Sequence, residues 1–219
     1  IDLGLVKLNA PIIIAKTMGA LTGITMMIAS LIMGVPILRD FEYEMESLMF
    51  VNPIKKRDYL LGRFLGSFVV LLIIYTALIW GNALGEFLPW RNSEDTMPFD
   101  LIVYIQPYFT VVIPILFFGA ALFFVSGALS RKLIVVYTQG LFTFVLFMLT
   151  RGIENETLGA ILDPFSLSTL STMTDLWTTT ALNSQLIPFN GVLLYSKLFW
   201  IAIGVLIMVF GYNRFNYNV

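Results

Sequence analysis

The chain has 219 residues, of which 58% are hydrophobic and only 12% are charged. Soluble domains carry about 25% charged residues, so this composition indicates an integral membrane protein. The net charge of −1 argues against a nucleic-acid partner, and the absence of Cys and His excludes disulfides, zinc fingers, thiol nucleophiles and His-based catalysis.

Five apolar runs are each long enough to cross a bilayer as a helix, which takes about 20 residues. They are continuously apolar and lack the alternation of barrel strands, so the sequence predicts an all-α membrane domain. Pro107 and Pro114 are expected to kink or interrupt the third run. The runs are residues 11–35, 61–84, 101–129, 133–150 and 192–212.

The Lys and Arg residues near the ends of these runs predict the orientation, because short cytoplasmic loops are enriched in both. One side receives Arg39, Lys55, Lys56, Arg57, Arg63, Arg131, Lys132 and Arg214, and the other receives Lys7, Lys16, Arg91, Arg151 and Lys197. The first side is therefore predicted to be cytoplasmic, with residue 1 outside and residue 219 inside. Because no signal peptide precedes this outside start, we expect a further span before residue 1, which would make six.

The most charged stretch, residues 39–58, lies between the first two runs. An amphipathic helix is predicted here, although an ordinary charged loop fits the pattern equally well. Its apolar face and the acids beside that face are Phe41, Met45, Leu48, Glu42 and Glu46. Asn52 and Pro53 are suited to the N-cap and the first position of the next helix.

Four acids within this stretch alternate along the chain: Asp40, Glu42, Glu44 and Glu46. Oxygen ligands alone could hold a hard metal ion. Without His or Cys nearby, however, a solvated or partner-facing acidic surface is the favoured interpretation.

Residues 151–191 are predicted to lie outside, yet they are too apolar for a loop in water. Asp163-Pro164 is expected to start a turn, in which the Asp side chain bonds the backbone ahead. Alternatively, Asp163 caps a short helix that begins at Pro164. A second short helix over 174–178 would place Trp177 at the membrane interface, where aromatic belts occur. Together these helices would form an ordered outer cap.

Glycine pairs with the G-x-x-x-G spacing predict close helix packing in an apolar environment. The pairs are Gly19 with Gly23, Gly62 with Gly66, and Gly81 with Gly85. Lys16 is expected in the outer leaflet, reaching water or facing the bundle interior, because a cation at the centre of a span is costly.

No G-x-x-x-x-G-K-[ST] phosphate loop is present, so nucleotide binding through that motif is not expected. A Ser–Lys dyad involving Lys16 or Lys197 is the one catalytic alternative. We otherwise expect no reaction centre, metal or cofactor in this chain.

Several segments occur in an order that resembles a known family. The first are Val35-Pro36-Ile37-Leu38-Arg39-Asp40, Pro53-Ile54, Asp58-Tyr59-Leu60 and Gly62-Arg63-Phe64; the later ones are Leu162-Asp163-Pro164-Phe165, Thr174-x-x-Trp177-Thr178, Asn183, Ile187-Pro188, Lys197-Leu198-x-Trp200 and Arg214-Phe215. They resemble the membrane domain of type-2 ABC exporters, and in particular a subgroup whose chains can also carry a gluzincin-type aminopeptidase domain.

The resemblance implies a six-helix domain in the cytoplasmic (inner) membrane, of which this chain would supply five spans. It also implies that residues 39–58 form a coupling helix that docks on an ABC ATPase subunit, which would hold ATP and Mg²⁺. A second permease half or copy would complete the pathway. Two departures are the missing first span and Ser196-Lys197, where the subgroup usually has Asn-Arg. No H-E-x-x-H motif occurs, so no peptidase activity is assigned.

The expected function is therefore ATP-driven transport, with export as the expected direction and an unidentified substrate. Two alternatives stay open. In a secondary transporter or channel, Lys16 would belong to an ion path. A membrane scaffold would anchor partners without transport.

Overall fold

The computed structural model describes residues 6–43, 54–89 and 93–215. It is 80% helical, and no β-strand occurs among the described residues, so the all-α prediction is confirmed. Four helices are long and apolar enough to cross a membrane, or five if one bent pair counts as a single span. The four are continuous helical stretches, some of which contain more than one of the elements given below: Lys56–Phe87, Ile102–Ser130, Leu133–Thr150 and Gly191–Arg214. The bent pair is Pro11–Ile24 with Met26–Glu42.

Eleven α-helices are described. They are α1 (Pro11–Ile24), α2 (Met26–Glu42), α3 (Lys56–Tyr75), α4 (Ala77–Leu84), α5 (Ile102–Pro107), α6 (Ile113–Ser130), α7 (Leu133–Thr150), α8 (Glu156–Leu162), α9 (Leu167–Thr174), α10 (Thr179–Ser184) and α11 (Gly191–Arg214). Single 3₁₀ turns occur at Gly85–Phe87 and Ser93–Asp95, and a π-helical turn at Tyr108–Val112.

The first predicted run, 11–35, differs from the observed helices in two ways. Its predicted C-terminal bound is too early, and a break interrupts it. Thr25 adopts φ −84° and ψ 3° between α1 and α2, outside the helical region. Pro36 lies inside α2 instead of ending it, and α2 continues to Glu42. An internal proline is tolerated in membrane helices, because neighbouring groups can satisfy the carbonyl that loses its N–H partner.

The predicted kink at Pro107 and Pro114 takes the form of a π-helical turn. Pro107 ends α5, and Ile113 N–H donates to the carbonyl of Tyr108, five residues back. Proline has no N–H to donate, so the regular ladder is interrupted here. A wider turn is one of the known ways in which a helix absorbs such an interruption.

The helix predicted to begin at Pro53 begins at Lys56, since Ile54 and Lys55 are not helical. Asn52 and Pro53 themselves lie outside the described residues. The remaining predicted runs lie close to the observed bounds, and 133–150 coincides with α7.

The segment 151–191 contains three short helices, α8 to α10, with bounds that differ from the predicted ones. The helix expected from Pro164 begins at Leu167, because Ser166 adopts a left-handed conformation (φ 64°) just before it. The second helix is α10, which lies beyond 174–178; Thr178 is its N-cap and accepts from Ala181 N–H at 3.3 Å.

The chain divides into two compact units, each assembled from three chain segments. Unit 1 comprises Ile1–Ile24, Tyr75–Ile115 and Leu146–Trp200, and unit 2 comprises Thr25–Ile74, Leu116–Val145 and Ile201–Val219.

Unit 1 is organised around α1, which packs against α5, the π-helical turn, α9 and α10. A Cβ at Gly19 would lie 2.6 Å from the carbonyl oxygen of Phe165, and one at Gly23 would lie 3.1 Å from the Phe165 ring. Glycine at position 19 therefore lets the backbone before α9 approach α1 directly.

Unit 2 has an aromatic core between α3 and α6. Phe64 makes edge-on contacts with Phe124 (ring centroids 5.5 Å apart) and with Phe117 (6.2 Å), a favourable geometry for aromatic pairs. A Cβ at Gly34 would lie 2.6 Å from Val136, so α2 and α7 are also in close contact.

Candidate functional site

Asp40, in the last full turn of α2, is 5% exposed and forms an ion pair with the partly exposed Arg63. Its carboxylate accepts from the Tyr59 hydroxyl at 2.8 Å and from Arg63 Nη2 at 2.5 Å. Tyr59 and Arg63 stand four residues apart on α3, so both side chains lie on one face. The prediction that Asp40 belongs to a solvated acidic surface is wrong, because α3 covers it.

Phe41 lies in the last turn of α2, where the sequence predicted a separate short helix. Its ring centroid is 6.1 Å from that of Phe215, and the Arg131 guanidinium lies 4.1 Å from its ring. Phe215 also stacks against Tyr59 at 6.2 Å. The Phe41 ring thus packs in part against other residues of unit 2. Its contact with an ATPase partner stays a prediction.

Next to this cluster is a cleft of about 540 Å³, with Glu42, Arg39 and Arg131 among its lining residues. Glu42 is exposed at the end of α2. The other residues predicted to face an ATPase lie outside the described part of the chain: Met45, Glu46, Leu48, Asn52 and Pro53.

Replacing Arg63 with Met should lower the free energy of unfolding by about 1–3 kcal/mol, because the buried Asp40 carboxylate loses its cation. The Arg63 side chain is 34% exposed, so solvent screening places the effect between those of exposed and fully buried pairs. Unfolding of the purified protein in mixed micelles measures this loss. Arg39→Met, on an exposed side chain of α2, is the control and should change stability little.

A second buried polar cluster lies in unit 1, around Lys197 of α11. Lys197 is 1% exposed, and its ammonium donates to the hydroxyl of Ser166, which is 0% exposed. Ser166 occupies the N-cap position of α9 but makes no capping bond with its side chain. Its hydroxyl oxygen is therefore available to accept from Lys197.

Asp163 stabilises the turn around Ser166, which precedes α9. It is 0% exposed, and its carboxylate accepts from Phe165 N–H at 2.8 Å and from Ser168 N–H at 2.5 Å. Its charge acts electrostatically on the Lys197 ammonium, although the two groups are not in direct contact. Asp163 thus stabilises the first turn of α9 from four residues before its start.

The geometry around Lys197 bears on the Ser–Lys alternative. The structure brings Lys197 to Ser166, but both side chains are buried, and a nucleophile must be reached by its substrate. In this conformation the arrangement fixes the position of α11 against the turn before α9. Lys16 does not join the cluster; it is half-buried on α1, with Arg151 acting on it electrostatically.

The other predicted residues are more dispersed. Pro164 is buried in the turn between α8 and α9, and Trp177 is half-buried between α9 and α10. A Cβ at Gly62 or Gly66 would meet nothing within 4 Å in the described part of the chain, so no packing contact of these glycines is seen there.

Three residues of these clusters were missed by the sequence analysis. Tyr59 and Arg63 carried a usable signal, namely a phenol and a cation one turn apart on a helix that follows an acid. Ser166 carried none, because a left-handed serine cannot be recognised from its neighbours.

No protein-family model, curated protein or solved structure matches this chain. The functional argument therefore rests on its own residues.

Proposed function

We propose that this chain is a permease subunit, or half of one, of an ATP-driven ABC transporter of the type-2 exporter class. It would act in the cytoplasmic membrane and export an unidentified substrate. The sequence resemblance described above motivates the proposal. A separate ATPase subunit would bind and hydrolyse ATP, and a second permease half or copy would complete the pathway.

The observation that carries the proposal is the bond between the ends of α2 and α3. Residues 44–53, the core of the predicted coupling segment, connect these two helices in the sequence. Asp40 joins the helices through Tyr59 and Arg63. A partner that moves the connecting residues would therefore act on both helices together.

The distribution of charge supports a cytoplasmic position for this junction. Five cations lie on or beside the adjoining ends of α2 and α3, a density that is typical of cytoplasmic loops. They are Arg39, Lys55, Lys56, Arg57 and Arg63. Arg131 and Lys132, in the short turn between α6 and α7, add two more to unit 2.

In the proposed mechanism, closure of the ATPase displaces residues 41–52, and α2 and α3 follow as one body because of the Asp40 bonds. The rearrangement would open a path between two permease halves. The cluster of Asp163, Ser166 and Lys197 would hold the outer cap on α11 until that movement reaches it.

Met45→Asp and Leu48→Asp should each reduce transport at least tenfold while the protein still inserts and its ATPase still hydrolyses ATP. An aspartate on the predicted contact face would have to be buried against the partner, which is costly for an unpaired charge. Transport and ATP hydrolysis by the reconstituted complex are the two measurements.

Tyr43→Asp is the matched control, since Tyr43 is 66% exposed and lies off the predicted face. Full transport in both test variants would contradict the coupling assignment. Purification of the intact protein without any associated ATPase, together with ATP-independent transport driven by an ion gradient, would instead favour the secondary transporter. A buried cation such as Lys197 in a span is the observation that favours this second candidate.

A further inference from the structure

Unit 2 contains a cavity of about 350 Å³ between α3, α6 and α11. Its wall is almost entirely apolar and includes Leu60, Leu61, Phe124, Val125 and Met208. The volume lies within the range of small-molecule sites, about 300–1,000 Å³. An apolar cavity of this size accommodates hydrocarbon better than water.

The wall on the α11 side is fixed by close packing. Gly211 lines the cavity, and a Cβ at this position would lie 2.6 Å from Val125 of α6. The backbone of α11 therefore lies directly against α6, and the cavity is a property of the packed helices rather than of a movable side chain.

One part of this cavity is basic. Arg57 lines it and is exposed, and the Lys56 ammonium lies 4.7 Å from the ring centroid of Tyr212, another lining residue. Within the described part of the chain neither cation forms an ion pair, and Asp58, the next residue, is exposed and pairs with neither. An apolar cavity thus adjoins two positive charges that no described acid neutralises.

We propose that this cavity binds one anionic phospholipid, with its phosphate at Arg57 and Lys56 and an acyl chain between α3, α6 and α11. A soluble anion would leave the apolar wall unfilled, and a neutral lipid would make no use of the two cations. Basic pockets between membrane helices on the cytoplasmic side are suited to acidic head groups. The proposal goes beyond transport and is independent of any ATPase partner.

The test uses a fluorescent reporter placed in the cavity wall. Tyr212→Trp keeps an aromatic ring beneath Lys56, since Trp is the strongest cation–π partner. The variant is reconstituted in bilayers of unlabelled phosphatidylcholine. One series contains increasing fractions of phosphatidylglycerol with brominated acyl chains, and a second series contains increasing fractions of brominated phosphatidylcholine. The signal of the parent protein, which has four native Trp residues, is subtracted.

Brominated phosphatidylglycerol should quench the fluorescence of the introduced indole at a mole fraction at least fivefold lower than brominated phosphatidylcholine. Arg57→Gln in the reporter background should reduce this preference about fivefold, the contribution of one cation near an acidic membrane surface. Lys132→Gln makes the same change of charge in the turn between α6 and α7, at a residue that does not line the cavity, and should leave the preference unchanged.

Three results would overturn the proposal. Equal quenching by both lipids would show ordinary bilayer contact. An equal loss of preference in Arg57→Gln and Lys132→Gln would show a general effect of surface charge. Absence of quenching by either lipid would show that protein, from this chain or from a second copy, fills the cavity. None of these results bears on coupling to an ATPase, which the Met45 and Leu48 variants test separately.

Discussion

Replacing Lys197 with Met should lower the free energy of unfolding by about 1–3 kcal/mol, because the buried Ser166 hydroxyl loses its charged donor and the Asp163 carboxylate loses the positive charge that acts on it. Methionine preserves most of the apolar stem, so the loss reports the ammonium and little of the packing. If the ammonium were an isolated buried charge, its removal would instead increase stability. The sign of the change therefore decides whether Lys197 and Asp163 act as a pair.

A double-mutant cycle with Asp163→Asn makes this test quantitative. The free energy of unfolding of the double variant should exceed the value predicted from the sum of the two single losses by at least about 1 kcal/mol. A coupling energy of this size is typical of residues that share a network. Lys197→Arg is the control that keeps the cation and should lose much less than Lys197→Met. Additive losses, or a stabilised Lys197→Met protein, would show that no such pair exists.

Asp163→Ala should cost about 1–4 kcal/mol, because a buried and a partly buried N–H group lose their acceptor, and a buried donor left unsatisfied costs about 1–3 kcal/mol. The affected groups are those of Phe165 and Ser168, on either side of the left-handed Ser166. The loss is therefore expected to begin in the turn that positions α9. We expect residues 160–185 to become sensitive to a protease added on the side predicted to be outside.

Digestion of sealed vesicles, followed by mass spectrometry of the fragments, measures this effect. Asp175→Ala is the control in the same segment, because Asp175 is exposed and forms no ion pair in the described part of the chain. Rapid cleavage throughout 160–185 in the unchanged protein would contradict an ordered outer cap. Equal protection of the parent and of Asp163→Ala would contradict the bracing role of Asp163.

The existence of the long helices could be predicted from the sequence, because a continuous apolar run leaves few alternatives in a bilayer. The bounds of α7 were predicted to the residue, since Arg131-Lys132 and Arg151-Gly152 interrupt the apolar pattern at its two ends. The break at Thr25 was not predicted: no Pro or charge marks it, and the nearby pair Gly19 and Gly23 was interpreted as a packing signal.

The polar contacts could be predicted only in part. The sequence singled out Asp163 and Lys197 but did not bring them together, since 34 residues separate them. Asp40 was assigned to water because its sequence neighbours are acidic, whereas its environment is set by α3, which begins 16 residues later. Burial depends on such tertiary contacts, which local patterns do not contain.

The order of the chain segments in unit 1 has a consequence for synthesis. Asp163 and Ser166 leave the ribosome before Lys197, and at about 5–20 residues per second the interval lasts roughly 2–7 s. Throughout that time the Ser166 hydroxyl lacks the bond from Lys197 that it has in the finished protein. The turn between α8 and α9 can form its own Asp163 bonds first, but the bond that joins it to α11 can form only after Lys197 has been synthesised.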